Sequence, residues 1–419
     1  MKRIIPACKK LMNDPVRIKY YIHQYASIVR LFASYVLIMP FRKKLYAQNI
    51  WLVTEKSSEA RDNGYHFYRY IKNNHPEINI YYAITSDSPD KNKFAPGDKL
   101  ISFNSWRHFR YSLSAKVSIS SQPFGALPQP VSKLFPYAKK LRRKDQAVIH
   151  LKHGITKDEL PHDLDYRNTH FDLLCCVSEK EKRFMQEMHG YPDENIKTLG
   201  FCRYDKLLSD HAVKKQILIM PTHRMWLNTV DPTHEATPKE KKAFEETEFY
   251  RVYSSLLSNT DLLASIRNRQ FSIVFYPHYA LQPYVNCFMK YSNDDVVIAD
   301  RKQYDVQQLL LESSILVTDY SSVFFDFAYM KKPEVFYHFD EQQYRAEHFK
   351  KGYFDYRNDG FGPVYTEEND VVNEIKHLLE NGCEMSEMYR QRTDDFFAFR
   401  DANNCKRVFD EVYRKAMEK

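Results

Sequence analysis

Short runs of consecutive apolar residues recur along this chain, each separated from the next by enough residues for a helix. The first series falls at residues 49–55, 78–85 (INIYYAIT), 117–121, 147–151 and 171–178. Residues 64–72 between the first two have helical character. The pattern restarts at residues 216–220 (QILIM), 271–276 (FSIVFY), 296–299, 315–318 and 335–337. Such short apolar runs read as buried strands, and strands alternating with helices predict a parallel sheet covered on both faces. Two series predict two sheets. The fold class is therefore α/β: two Rossmann-like, doubly wound domains facing a cleft, with the boundary near residues 205–215. A polar, Pro-containing stretch at 228–242 predicts a loop or lid. Helical patterns dominate from residue 371 onward.

The length of 419 residues suits two domains. With 43% hydrophobic and 28% charged residues, the chain is a folded body rather than a disordered one. Only 10 Gly are present, which argues against repeated glycine-rich phosphate loops. Seven scattered cysteines show no C-x-x-C spacing and read as ordinary residues of a cytosolic protein.

Charge changes the picture most. Residues 1–50 hold ten Lys or Arg against one acid, Asp14, whereas the whole chain carries only +8. An anionic partner for this end follows: lipid headgroups, a polyanionic polymer or nucleic acid. Within it, residues 31–41 (LFASYVLIMPF) are apolar, but eleven residues fall short of the roughly twenty that span a bilayer. Basic flanks suit a helix lying in the headgroup region; a core-packing helix with a solvated basic face is the plainer alternative. Nucleic acid fits less well, because the positive excess ends near residue 50 and no nucleic-acid motif follows.

Ligands of doubly wound sheets bind at the carboxyl ends of the strands, and reactive residues cluster there. His153-Gly154 follows one run, Pro221-Thr222-His223-Arg224 another, Tyr276-Pro277-His278 ends a third, and Asp319-Tyr320-Ser321-Ser322 follows a fourth. Ser321 and Ser322 precede an apolar helical run, so they either cap that helix or face an anion. Asp326 shares its face and suits a polyol hydroxyl or the helix dipole. His153 and His278 are acid–base candidates, since imidazole titrates near neutrality. Asp163-Leu164-Asp165 matches a D-x-D metal–diphosphate pattern that arises freely by chance. No metal-ligand spacing surrounds His223 or His234, so no structural metal is expected.

Taken in order, these motifs resemble the CDP-glycerol glycerophosphotransferase family, the teichoic-acid primases and polymerases. The matching stretches are Asp62-Asn63-Gly64, Lys152-His153-Gly154-Ile155, Gly200-Phe201-Cys202-Arg203-Tyr204-Asp205, residues 217–224, Tyr276-Pro277-His278 and residues 318–326. Lys332-Pro333, Phe339-Asp340 and residues 352–356 continue the order. The resemblance implies a GT-B-like fold and monotopic attachment to the cytoplasmic face of the cell membrane. Its domains would be a membrane-associating segment (1–46), an acceptor-side domain (47–210), a CDP-polyol-binding domain (211–384) and a C-terminal helix (385–419).

The resemblance makes His153 and His278 catalytic. It assigns substrate contacts to Gly154, Ile155, Thr156, Lys157, Arg203, Pro221, Thr222, Arg224, Tyr276, Pro277, Ser321, Ser322 and Asp326. His223 stands where many members carry Trp, and Cys202 where Pro is usual before the Arg. The implied reaction moves glycerol phosphate from CDP-glycerol to a lipid-linked acceptor in teichoic-acid or capsule-type polymer synthesis, releasing CMP. It needs no organic cofactor, and a need for Mg2+ is left open. Alternatives are a CDP-ribitol donor, a nucleotide sugar on the same fold, or a non-catalytic membrane- or polyanion-binding relative.

Overall fold

A computed structural model describes residues 15–227, 230 and 234–419, with the backbone alone for residues 15–23. It contains two sheets in which every pairing between strands is parallel. The first has the order β3-β2-β1-β4-β5-β6-β7 and the second β10-β9-β8-β11-β12-β13. In the first sheet β1 is Trp51–Thr54, β2 Ile80–Ile84, β3 Leu100–Ser102, β4 Val117–Ser120, β5 Ala147–His150, β6 Leu173–Cys176 and β7 Ile196–Thr198. In the second, β8 is Gln216–Met220, β9 Ser272–Phe275, β10 Val296–Ile298, β11 Ile315–Thr318, β12 Glu334–Tyr337 and β13 Val364–Tyr365. The central strands β1, β4, β5, β8 and β11 are buried at every position, and all but β4, which buries Ser118 and Ser120, consist mainly of consecutive apolar residues.

Alternate residues of each strand feed two separate cores. In β8, Ile217 and Ile219 pack with Phe249, Tyr253 and Leu256 on one side, while Leu218 and Met220 pack with Phe324, Phe327 and Tyr329 on the other. In β1, Trp51 and Val53 meet Phe67 and Ile71 of helix Asn63–Asn74. The final helix, Asn404–Glu418, closes this same core with Val408, Phe409 and Val412. The end of the chain thus returns from the second sheet to the first. The carboxylate of Asp205 receives its opening N–H groups: Asn404 N–H at 2.8 Å and Cys405 N–H at 2.9 Å.

Several expectations change. The stretch 228–242 was expected as a loop, and residues 228–229 and 231–233 lie outside the described residues. Its later part, however, begins helix Pro238–Glu245, started by a capping box between Thr237 and Glu240 and by Pro at the first turn. Residues 385–419 hold two helices, Glu387–Phe396 and Asn404–Glu418, rather than one. The apolar segment 31–41 belongs to a longer helix, Pro15–Ile38, continued by a 3-10 turn at Met39–Phe41. Gln24–Ala47 is long and apolar enough to cross a membrane by length and composition. One side of this helix packs Leu31 and Ile38 on Phe109, Leu113 and Leu134, while Val29, Val36, Leu37 and Phe41 are exposed. One face is thus packed, as the plainer alternative expects, while apolar residues of the other face stay uncovered.

Candidate active site

The carboxyl ends of the two sheets face each other, and every cluster read from the strand ends lies in that cleft or in its walls. After β5 the backbone turns sharply, with Lys152 at φ 61°. Asn63 braces this turn: its amide donates to the Lys152 carbonyl at 2.8 Å and accepts from Arg203 N–H at 3.1 Å. Gly64 N–H donates to Ser121 Oγ at 2.8 Å, and a Cβ there would lie 3.1–3.3 Å from Glu55, Thr54 and Ser121. The Asp62-Asn63-Gly64 motif is thus a brace for the loop that carries His153.

His153 itself stands open to the cleft. The surrounding protein, then the positive charges of Arg203 and Lys152, hold its imidazole below the ordinary range. It is therefore neutral near pH 7 and able to accept a proton. Arg203 joins the two sheets. Its guanidinium binds Asp326 of the second half in a two-pronged pair at 2.7 and 2.9 Å, Asp62 of the first half at 2.9 Å, and the His153 carbonyl at 3.1 Å. With Asp326 engaged this way, both residues hold the two halves in register beneath His153.

On the second half, the loop after β8 is anchored from below. Arg224 is fully buried; it pairs with Asp340 at 2.6 and 3.0 Å and with Asp319 at 2.9 Å, and donates to the Thr222 carbonyl at 2.7 Å. Its donors are spent inside the protein, so it shapes the Pro221–Thr222–His223 loop rather than touching a ligand, contrary to the expected contact. Thr222 N–H donates to Asp319 at 2.8 Å, and the Thr222 hydroxyl has no partner among the described residues. His278 N–H donates to the Pro221 carbonyl at 3.3 Å, and the Pro277 carbonyl accepts from Gln282 at 2.7 Å. Tyr276 is buried at the same strand end, its hydroxyl pushed well above the ordinary phenol range by desolvation.

His278 Nδ1 accepts from Ala280 N–H at 3.2 Å. A neutral imidazole so engaged carries its hydrogen on Nε2. Burial, followed by the influence of His223, lowers its pKa to about 3, so it is neutral across the physiological range. His223 stacks on His278 with ring centroids 4.5 Å apart, and His348 meets His223 edge-on at 4.7 Å. His223 thus occupies a stacking position. Ser321 is buried and Ser322 half-buried; Ser322 opens helix Val323–Tyr329 without a side-chain capping bond. A Cβ on Gly154 would lie 3.0 Å from Ser322 Oγ, so here the two halves nearly touch.

Three expected contacts serve as a joint instead. Ile155 inserts into a core of the second half, Thr156 N–H donates to Glu181 at 2.7 Å, and buried Lys157 pairs with Asp158. Asp158 in turn binds Arg345 across the halves at 2.6 Å. Sequence reasoning missed two groups on the first half. Glu55, buried at the end of β1, accepts Arg61 and Tyr65 N–H groups at 2.5 and 3.0 Å; burial pushes its carboxyl up to about 8. Lys56 extends across the cleft over the ring of Tyr279, 3.3 Å from its centroid. Glu55 closes the first apolar run and could have been found by its strand-end place; the reach of Lys56 leaves no trace in sequence.

Two parallel sheets meeting at their carboxyl ends, with a terminal helix crossing back, define a GT-B-like protein. The chain belongs to the CDP-glycerol:poly(glycerophosphate) glycerophosphotransferase family, whose profile it matches over residues 32–414. It is 31% identical to the minor teichoic acid biosynthesis protein GgaB of Bacillus subtilis, over 87% of this chain and 39% of that protein. It is 22% identical to the teichoic acid poly(glycerol phosphate) polymerase of Staphylococcus epidermidis, over 92% of this chain and 54% of that one. The chain thus spans about half or less of the length of these relatives. Among solved structures, the wall teichoic acid polymerase TagF superposes with a TM-score of 0.65 at 19% identity, covering 95% of this chain and 98% of that one. A putative UDP-N-acetylglucosamine 2-epimerase from Listeria monocytogenes gives 0.54 at 12%, covering 88% and 97%. At such identities the likeness is one of fold.

Proposed function

We propose that the chain transfers glycerol phosphate from CDP-glycerol to a hydroxyl of a lipid-linked acceptor, releasing CMP. The observation that carries this reading is the convergence on one cleft of two neutral histidines, His153 from the first sheet and His278 from the second. Both feel the charge of Lys56. The acceptor oxygen attacks the phosphorus bonded to glycerol, and its proton passes to His153. The bridging P–O bond breaks, and CMP leaves with the bonding electrons.

His278, with Nδ1 engaged and hydrogen on Nε2, donates to the phosphate oxygens where charge builds. The hydroxyls of Ser321, Ser322 and Thr222 add to the same field. The donor sits on the second half, between the Pro221–His223 loop, the Tyr276–His278 strand end and the Ser321–Ser322 turn. TagF, which shares the fold, has been soaked with CDPG, which supports a donor of this kind. Arg203, Asp326 and Arg224 position these groups.

Attachment is peripheral, on the cytoplasmic face. The exposed residues Val29, Val36, Leu37 and Phe41 would enter the headgroup layer beside the basic residues of this segment, bringing the enzyme to an acceptor held by anionic lipid. The test is CMP release by purified protein supplied with CDP-glycerol or CDP-ribitol, with and without a lipid-linked disaccharide. Acceptor-dependent release from CDP-glycerol is expected. Release from CDP-ribitol alone would reassign the donor, and none from either, in folded and lipid-bound protein, would end the proposal.

A further inference from the structure

The acceptor half carries a pocket of about 320 Å3 at the carboxyl ends of β1 and β4, within the range of small-ligand sites. Its polar lining includes Ser57, Ser120, Gln122 and Gln129, and its apolar walls include Phe103 and Phe124. The pocket adjoins the reacting centre. Lys56 is part of its lining and reaches over the ring of Tyr279, the residue after His278, 3.3 Å from its centroid. Ser120 and Gln122 flank Ser121, whose Oγ accepts from Gly64 N–H at 2.8 Å in the brace of the His153 loop.

Resting on the transfer reading above, we propose that this pocket receives an uncharged sugar ring of the acceptor rather than a glycerol-phosphate chain end. Charge decides between the two. A phosphodiester end calls for free cationic groups, and no arginine lines the pocket. The single lysine there pairs with Glu59 at 2.9 Å. The one carboxyl in the lining, Glu55, is held in its protonated range near neutrality and turned onto backbone N–H groups. What remains is amide and hydroxyl groups between aromatic faces, the lining that suits a sugar's hydroxyls and C–H faces.

Backbone strain marks the same wall. Phe124 lies at φ 74°, a conformation an aromatic residue rarely adopts, and is followed by Gly125 at φ 77°. The turn is held by Ala126 N–H donating to Ser118 Oγ at 3.0 Å, and the Phe124 ring rests on Phe135, centroids 4.9 Å apart. Strain of this kind persists where it sets a side chain for use. The floor also leads toward lipid: Leu127 and Val131 line the pocket and belong to the cluster in which Leu31 and Ile38 anchor the amino-terminal helix. A sugar in the pocket would therefore stand between His153 and the face proposed to meet the membrane.

The test uses full-length protein and two short-chain lipid acceptors, one ending in a disaccharide and one in glycerol phosphate. Gln122→Ala and Phe124→Gly are the variants; the second relieves the strained backbone while removing the ring. The disaccharide acceptor is expected to give at least tenfold higher kcat/KM than the other. Each variant is expected to raise its KM about tenfold while leaving KM for CDP-glycerol within twofold. Acceptor KM unchanged in both variants, or preference for the glycerol-phosphate end, would overturn the pocket and leave the transfer reading standing. Disaccharide binding followed by saturation-transfer NMR separates the converse case: binding lost in both variants, without wild-type turnover, would keep the pocket and sink the transfer reading.

Discussion

His153 and Arg203 adjoin in the cleft, and their surroundings set them apart. His153 is open to the cleft, so His153→Ala should leave thermal unfolding close to wild type. Turnover should fall by about 10²–10⁴-fold, the usual worth of a general base. His278→Ala should also lower turnover sharply, and near-native CMP release by both variants would remove them from the chemistry. Arg203→Ala instead leaves Asp326 buried and Asp62 without its guanidinium. Breaking a buried pair from one side costs about 3–5 kcal/mol. That loss should appear in urea denaturation and be partly recovered by adding Asp326→Ala. The state of His153 also sets an acid limb. Because its pKa lies below the usual 6.5, it stays a base as pH falls through that value. A kcat/KM profile that dropped near pH 6.5 because of His153 would contradict this placement.

At the level of elements, the central strands were legible because each is buried on both faces and, Val117–Ser120 with its two serines apart, contains little but apolar residues. Leu100–Ser102, Ile196–Thr198 and Val364–Tyr365 were not, since each offers at most two consecutive apolar residues. Helix Pro238–Glu245 was missed for another reason: its Thr-Pro-x-Glu start was present, but the preceding polar residues drew the whole stretch into a loop. The candidate cleft was legible where polar clusters sit at strand ends, as with His153, His278, Thr222 and Ser321. It was not legible where the partner comes from far along the chain. Nothing local tells that Arg224 is consumed by Asp319 and Asp340, or that Ile155 plugs the opposite half. The amino-terminal helix allows an element-scale test that spares its packing. Replacing Val36, Leu37 and Phe41 with Ser keeps Leu31 and Ile38 in place. Binding to anionic vesicles should weaken several-fold in sedimentation assays, with the melting curve little changed; undiminished binding would show that this face does something else.

Over the whole molecule, acid should be the harsher direction of pH change. His66, His108, His150, His223, His278, His338 and His348 all have pKa values lowered by burial to about 3 or 4. Below about 6.5 the unfolded chain takes up protons that these folded imidazoles refuse, so stability falls as pH drops from there toward 4. Glu55, raised to about 8, Asp62, raised to about 6, and the buried carboxyl of Glu334 work the other way but are fewer. The melting temperature should therefore decline between pH 7 and 5 at constant ionic strength; a rise would mean that the carboxyls dominate.

The returning helix Asn404–Glu418 also bears on how the protein is made. Its apolar side completes the core around β1, yet about two hundred residues of the second half are translated between β7 and that helix. At roughly 5–20 residues per second, the first sheet waits some tens of seconds on the ribosome with an uncovered face. Synthesis therefore leaves a window in which this half is open to chaperones, proteases and other nascent chains. A slower ribosome would lengthen that window without altering a single residue.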